Sequence, residues 1–318
     1  MNVLEEKLAT DVAIKNILFA TDFSQVSEAA LPYLTALSLR YGSVVHVVHV
    51  LANATLLRPG APDPAVFGSI YEDAHSNARE RMQALSLRLR GYPHKTYVRH
   101  GRVSQVVQDL IRDREIDLMV LGTHGRTGLG RLIMGSIAEE LFRQTSCPVL
   151  TIGPRVPLST QVLNFRRHPE LPPLEVKFRQ ILYATDLKPD AARGASYAIS
   201  LSREFHASLT LLHVIDCFGD DLHQHPGPIE VALRKLEELV PDRGALRHPP
   251  EFIAKFGAPA EIILETAGEF QADLILLGVR PAFGRLGPVT HFGRSTTHPV
   301  VVRANCPVLT LRAEDATC

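Results

Sequence analysis

The chain repeats itself. Ile17-Leu18-Phe19-Ala20-Thr21-Asp22 recurs as Ile181-Leu182-Tyr183-Ala184-Thr185-Asp186, an offset of 181 − 17 = 164 that also carries His49-Val50 onto His213-Val214. Asp117-Leu118-Met119-Val120-Leu121-Gly122 recurs as Asp273-Leu274-Ile275-Leu276-Leu277-Gly278 at offset 273 − 117 = 156, which also relates Gly101 to Gly257. Cys147-Pro148-Val149-Leu150-Thr151 recurs as Cys306-Pro307-Val308-Leu309-Thr310 at offset 306 − 147 = 159. Chance could supply one such match, but not four in an unchanged order. Copies of about 145 residues are too long to be solenoid units, so each is a domain. The expected domains are 1–154 and 178–318. The linker at 155–177 contains Pro157, Pro169, Pro172 and Pro173, which favour an extended, exposed course.

Within the first copy, apolar runs alternate with helical periodicity. Ile14–Ala20, Val44–Leu51, Tyr97–His100, Asp117–Gly122 and Pro148–Ile152 read as strands. Val26–Leu39 reads as one helix with Ala30, Leu34 and Leu37 inward and Pro32 in its first turns, where a missing N–H costs least. Ile70, Ala74, Ala78, Met82, Leu85 and Leu89 mark the inner face of a second helix, and Val106, Val107, Leu110 and Ile111 that of a third, Val103–Arg112. A short helix carrying Ile137, Leu141 and Phe142 precedes the last strand. Strands that are apolar throughout, alternating with helices, specify a parallel sheet covered on both faces: the doubly wound, Rossmann-like α/β class, here in tandem. Such sheets bind ligands beyond the carboxyl ends of their strands.

Composition narrows the function classes. Lys plus Arg and Asp plus Glu are both 34, so neither a basic nucleic-acid surface nor an acidic tail is indicated. Cys147, Cys217, Cys306 and Cys318 form no CxxC pair, which argues against a zinc or redox motif and fits a reducing compartment. The N-terminus has no secretory pattern, and no apolar run approaches the roughly 20 residues that span a bilayer. The expectation is a cytoplasmic protein acting on neither membrane nor nucleic acid.

The loop after the fourth strand carries the chemistry. Gly122 is followed by Gly125 three residues on and by Gly135-Ser136 ten further on. Glycines permit positive φ and close backbone approach, and successive exposed N–H groups make an anion nest. Ser136 adds a hydroxyl at a helix start, and His124, Arg126 and Arg131 add protonatable or positive groups. Other phosphate motifs fail: Arg131-Leu132 stands where a P-loop needs Lys-Ser/Thr, and Ile133 where a dinucleotide fingerprint needs glycine. The alternative reading of the loop is a plain strand-to-helix connection.

The pattern G-x2-G-x9-G-S, with Thr21-Asp22 ending the first strand, resembles the ATP-binding subgroup of the universal stress protein family, and the likeness extends over both repeats. The resemblance implies a five-stranded parallel sheet in each and an adenine nucleotide, ATP with Mg²⁺, as ligand. By position, Ala20, Thr21, Asp22 and Val50 would line adenine and ribose. Gly122, His124, Gly125, Arg126, Gly135, Ser136 and Ile137 would hold ribose and phosphates. Asp22 is the candidate to approach a phosphate-bound metal, although no residue is assigned as a direct metal ligand. The resemblance also implies pairing through the last strand, so that the repeats would form an internal pseudo-dimer; a further homodimer is left open.

The second repeat departs from the pattern. Pro281 replaces the second glycine, and Arg294-Ser295 stands where Gly135-Ser136 stood. The expectation is a degenerate second site in which Arg294, partnered by Asp186, replaces part of the phosphate charge. Asp22 and Asp186 are also good helix N-caps, and His49 and His213 fit structural roles. The Asp220, Asp221, His223 and His225 group fits a solvated loop better than a metal site, and Cys147 and Cys306 fit burial better than reactivity. Three functions compete: an ATP-binding stress-response regulator, a slow ATPase or phosphotransferase, and a nucleotide-free interaction module. No general base for efficient phosphoryl transfer is evident beyond His124 and Asp22, so no catalytic residue is assigned.

Overall fold

The computed structural model describes residues 12–51, 64–122, 138, 140–141, 145–157, 176, 178–216, 227–279 and 296–312. Its contacts divide it into two compact units. The first contains Ile14–Val149; the second contains the second repeat together with Leu150–Pro157.

In the first unit, β1 (Asn16–Ala20), β2 (Val44–Leu51), β3 (His94–His100) and β4 (Leu118–Gly122) run parallel in the order β3-β2-β1-β4. Ile17 faces Val45 on one side and Leu118 on the other, and Ala20 faces Val48. Ile17, Leu18 and Phe19 are all fully buried, as expected of a strand covered on both faces. Leu18, Val48, Met119 and Leu121 pack against Val107, Leu110 and Ile111 of α4 (Val103–Asp113), joined by Leu141, Cys147 and Val149. Ile17 and Phe19 point the other way. Helices α2 (Leu31–Tyr41) and α3 (Pro64–Arg88) contact β1–β3.

Two details differ from the sequence reading. The stretch expected as one helix is two: α1 (Gln25–Glu28) ends, and α2 begins with Pro32 at its start. Proline cannot donate to the carbonyl of Glu28, so the ladder breaks there. Ala74 is exposed, whereas Ala78, Met82, Leu85 and Leu89 farther along α3 are buried as expected.

The second unit contains β6 (Gln180–Thr185), β7 (Ser208–Ile215), β8 (Glu251–Phe256), β9 (Leu274–Val279) and β10 (Val308–Arg312). They form a five-stranded parallel array ordered β10-β9-β6-β7-β8. Its helices are α5 (Ala191–Phe205), α6 (Gly227–Glu238), α7 (Pro259–Glu269) and α8 (Thr297–Arg303). Strand β5 (Val149–Ile152) crosses the division between the units: Val149 joins the first core, and Leu150 onward belongs to the second unit.

The repeat is visible in the backbone irregularities. Gly101 and Gly257 both lie at strong positive φ, 135° and 144°, which only glycine adopts readily. Phe23 and Leu187 lie at φ 58° and 57°, and Glu115 and Gln271 at 48° and 50°. The left-handed cap of α2 is Gly42, and that of α5 is His206, the position 164 residues on.

Candidate functional site

The carboxyl ends of β1 and β6 leave the sheet through the same turn. Thr21 Oγ1 accepts from Phe23 N–H at 2.9 Å, and Asp22 Oδ1 accepts from Ser24 N–H at 2.9 Å. Thr185 and Asp186 repeat this with Leu187 and Lys188, at 3.1 and 3.2 Å. These side-chain bonds hold the next residue in the left-handed region without glycine. The two aspartates therefore build turns; it is Ser24 that accepts from Ser27 N–H and caps α1.

Both strand ends are also tied to the neighbouring strand by imidazole. His49 Nδ1 lies 2.8 Å from the Thr21 carbonyl, and His213 Nδ1 lies 2.9 Å from that of Thr185. A carbonyl only accepts, so Nδ1 carries the proton in each ring. Both histidines are structural joints, as the sequence reading favoured. In the first repeat the Phe23 ring packs on His49 with centroids 4.5 Å apart, and Arg81 reaches the Phe23 carbonyl at 3.0 Å.

Of the residues expected to hold a nucleotide, Ala20, Asp22, Val50 and Gly122 are partly exposed at the strand ends, and Thr21 is buried beneath them. Ala20 and Val50 flank the apolar cluster under α4. Thr21 N–H donates to Val48 O at 3.0 Å, so the exits of β1 and β2 lie side by side, and β4 borders β1 on its other edge. The structure thus brings these five together. His124, Gly125, Arg126, Gly135, Ser136 and Ile137 lie outside the described residues, as do Arg294 and the Asp220–His225 group.

The second repeat holds a cavity of about 410 Å³. It opens where β7 lies on one side of β6 and β9 on the other, the switch point at which such sheets receive ligands. Ala184, Thr185, Asp186, Val214 and Gly278 line it. They are the counterparts of Ala20, Thr21, Asp22, Val50 and Gly122, at offsets of 164 and 156. Leu212, Ile263, Leu277 and Leu311 supply apolar wall, and Asp190, Arg193 and Arg312 add charge. Arg193 Nη1 donates to the Arg312 carbonyl at 3.0 Å.

Tyr183 also borders this cavity, yet it is 1 % exposed and its hydroxyl donates to the Ala191 carbonyl at 2.8 Å. Burial pushes its phenol up to about 12, with Asp186 and Asp190 adding to the rise. A Cβ on Gly194 would lie within 3 Å of the Tyr183 ring. The first repeat has Phe19 and Ala30 at these two positions, so the second repeat has exchanged a methyl for a hydroxyl.

Sequence reasoning concentrated on the glycine loop and missed Arg193 and Arg312. The signal was available: the same offsets that align the motifs set Ala29 against Arg193 and Gly153 against Arg312. The two cysteines among the described residues behave as expected. Cys147 and Cys306 are buried, and burial raises each thiol to about 12, far from a reactive thiolate. Among the described residues there is no group of three or more metal-ligating side chains, and no helix is long and apolar enough to cross a membrane.

The chain is similar over nearly its whole length to a universal stress protein of Mycolicibacterium smegmatis, at 24 % identity over 310 residues, which is 93 % of this chain and 96 % of that one. Universal stress protein MJ0577 of Methanocaldococcus jannaschii matches at 25 % identity over 157 residues, 44 % of this chain and 96 % of its own length. Among solved structures, a universal stress protein from Archaeoglobus fulgidus shares the fold, with a TM-score of 0.68 at 21 % identity, covering 95 % of this chain and 97 % of that one. The family model described as the universal stress protein family matches residues 13–153 and 177–312, one match for each repeat. On this evidence the chain belongs to the universal stress protein family.

Proposed function

We propose that this protein is a nucleotide-responsive regulator that binds ATP, with Mg²⁺, on its first repeat. The observation that carries the reading is the placement of Gly122. It ends β4, beside β1, so the Gly125 and Gly135-Ser136 spacing begins where Ala20, Thr21, Asp22 and Val50 come together. In this reading Ala20 and Val50 present an apolar edge to adenine, and the Thr21-Asp22 turn faces ribose. The N–H groups between Gly122 and Ser136, with His124, Arg126 and Ile137, receive the phosphates.

The described residues fit such a ligand. The strand ends are partly exposed over an apolar floor, and Asp22 supplies an oxygen donor of the type Mg²⁺ accepts. Mg²⁺ is ordinarily held by one or two carboxylates, water and phosphates, so a dedicated cage of side chains is not required. The bound ion would neutralise phosphate charge; the chain's own part is to orient the nucleotide. The apolar last strands, Val149–Ile152 and Val308–Leu311, support the accompanying reading that the repeats act as an internal pair.

The test is calorimetric titration of the full chain with ATP·Mg²⁺, together with mass spectrometry of any copurified nucleotide. Gly125→Val should weaken binding by about 2–4 kcal/mol, roughly 30- to 1,000-fold, because a side chain there blocks charge-assisted bonds from the backbone. Unchanged affinity in that variant would remove the loop from the site.

A further inference from the structure

We infer that the second repeat carries a separate binding site for a small molecule with an apolar body and a single anionic group, chemically distinct from a nucleoside triphosphate. The inference does not depend on ATP binding to the first repeat.

The walls of the 410 Å³ cavity divide into a part that is kept and a part that is changed. The apolar positions are kept in type: Ala184, Leu212, Val214, Ile263, Leu277 and Leu311 stand for Ala20, Val48, Val50, Val107, Leu121 and Ile152 of the first repeat. Most of these positions also serve the core, where Leu212, Ile263, Leu277 and Leu311 are buried, and together they leave the cavity an apolar floor. The rim is changed in charge: Asp190 replaces Val26, Arg193 replaces Ala29, and Arg312 replaces Gly153. The first repeat could not carry an arginine at its own position, because a Cβ on Gly153 would lie 2.6 Å from the Val301 carbonyl.

These changes select against a polyphosphate. Asp186, Asp190, Arg193 and Arg312 sum to zero formal charge, and Pro281 removes an N–H from the loop that follows β9. Among the described lining residues, a chain of phosphates would face two carboxylates, balanced by Arg193 and Arg312 and with Lys188 3.6 Å from Asp186. One anionic group meets no such conflict, because the rim is polarised. Arg193 is anchored on the carbonyl of Arg312 at the end of β10. Asp186 follows β6, two strands away in the order β10-β9-β6, a separation of about 10 Å at the usual strand spacing. The anion belongs at the β10 end and the apolar body against Leu212, Val214, Ile263 and Leu277. Thr296 and Thr297 add hydroxyl donors.

The probes are 8-anilinonaphthalene-1-sulfonate, which has an apolar body and one anionic group, and N-phenyl-1-naphthylamine, the same body without the charge. Fluorescence titration of the folded full chain, with ATP·Mg²⁺ saturating, should give one sulfonate dye per chain. Arg312→Gln should weaken the sulfonate dye about tenfold and leave the neutral dye unchanged, the signature of a lost charge-assisted contact. Gly278 lines the cavity and a Cβ there meets nothing within 4 Å, so Gly278→Phe should keep the melting temperature and abolish both dyes. Gly125→Val should weaken ATP binding without touching either dye, which separates failure of this site from failure of the nucleotide site. The proposal is overturned if Gly278→Phe still binds the sulfonate dye, if Arg312→Gln weakens both dyes alike, or if a second ATP displaces the dye.

Discussion

At the amino end of β1, Asp117 Oδ2 accepts the N–H groups of Lys15 and Asn16, both at 2.8 Å; at the amino end of β6, Asp273 Oδ2 accepts those of Arg179 and Gln180 at 2.8 and 3.1 Å. Behind each clamp a side-chain pair ties the strand to its neighbour. In the first repeat Asn16 meets His46 at 3.2 Å, and His46 meets Tyr97 at 3.0 Å; in the second, Gln180 donates to Thr210 at 2.8 Å. At the carboxyl ends the strand-exit turns and imidazole joints are likewise duplicated, while Val26, Ala29 and Gly153 have become Asp190, Arg193 and Arg312. The comparison separates two kinds of residue that share one edge of the sheet. Side chains that satisfy backbone groups recur in both repeats, where each fixes the course of the chain at a strand end. Side chains facing the opening have diverged in charge between the repeats.

The comparison can be broken most readily at the clamps. Asp117→Ala and Asp273→Ala should each cost about 2 kcal/mol, since each removes a charged acceptor from two N–H groups. Urea denaturation followed by circular dichroism would measure both, and a free change at one site with a full cost at the other would end the equivalence of the two feet.

A somewhat smaller effect sharpens the contrast between Tyr183–Gly194 and Phe19–Ala30. Gly194→Ala gains about 1 kcal/mol in helix propensity but overpacks a walled-in ring at a cost of about 1–3 kcal/mol, so a net loss is expected. In a Tyr183→Phe background the loss should shrink, because the atom closest to the new methyl is the hydroxyl oxygen. A double-mutant cycle in thermal unfolding measures the coupling; additive costs would mean the two positions are independent.

The third test is a pH profile. His46 is 2 % exposed, and burial, followed by the charges of Lys95 and Arg114, lowers its proton affinity below the ordinary histidine range. The unfolded chain takes up this proton near the ordinary histidine value of 6.5 while the fold still resists it. Stability contributed here is present above pH 6.5 and declines as pH falls through that value. His46→Thr, which installs the second repeat's residue, should flatten this acid loss in melting curves between pH 5 and 8. An unchanged slope would assign the acid sensitivity elsewhere.

Most of the scaffold was legible because its signals are periodic and occur twice. Apolar runs gave β2 as Val44–Leu51 without error, and the matched pair Gly101 and Gly257 proves to share a positive-φ corner that the offset alone did not announce. Pro32 marked a helix boundary but was read as tolerated, because the first-turn rule does not say whether a turn belongs to one helix or starts the next. Ala20, Thr21, Asp22, Val50 and Gly122 lie at the ends of adjacent strands, since strand order in a doubly wound sheet fixes which ends meet. The cavity's charged rim was not seen. Arg193 lies on the first turns of a helix and Arg312 at the last residue of a strand, 119 residues apart, and no motif spans that distance.

The imidazole joints carry one more implication. In each, the ring gives its Nδ1 hydrogen to a peptide oxygen, and the imidazolium form would offer the same hydrogen in the same direction. Acidification that forces a charge onto buried His46 therefore takes no hydrogen away from these two latches. Each strand exit is thus fastened by a bond whose direction is the same in either form of the ring.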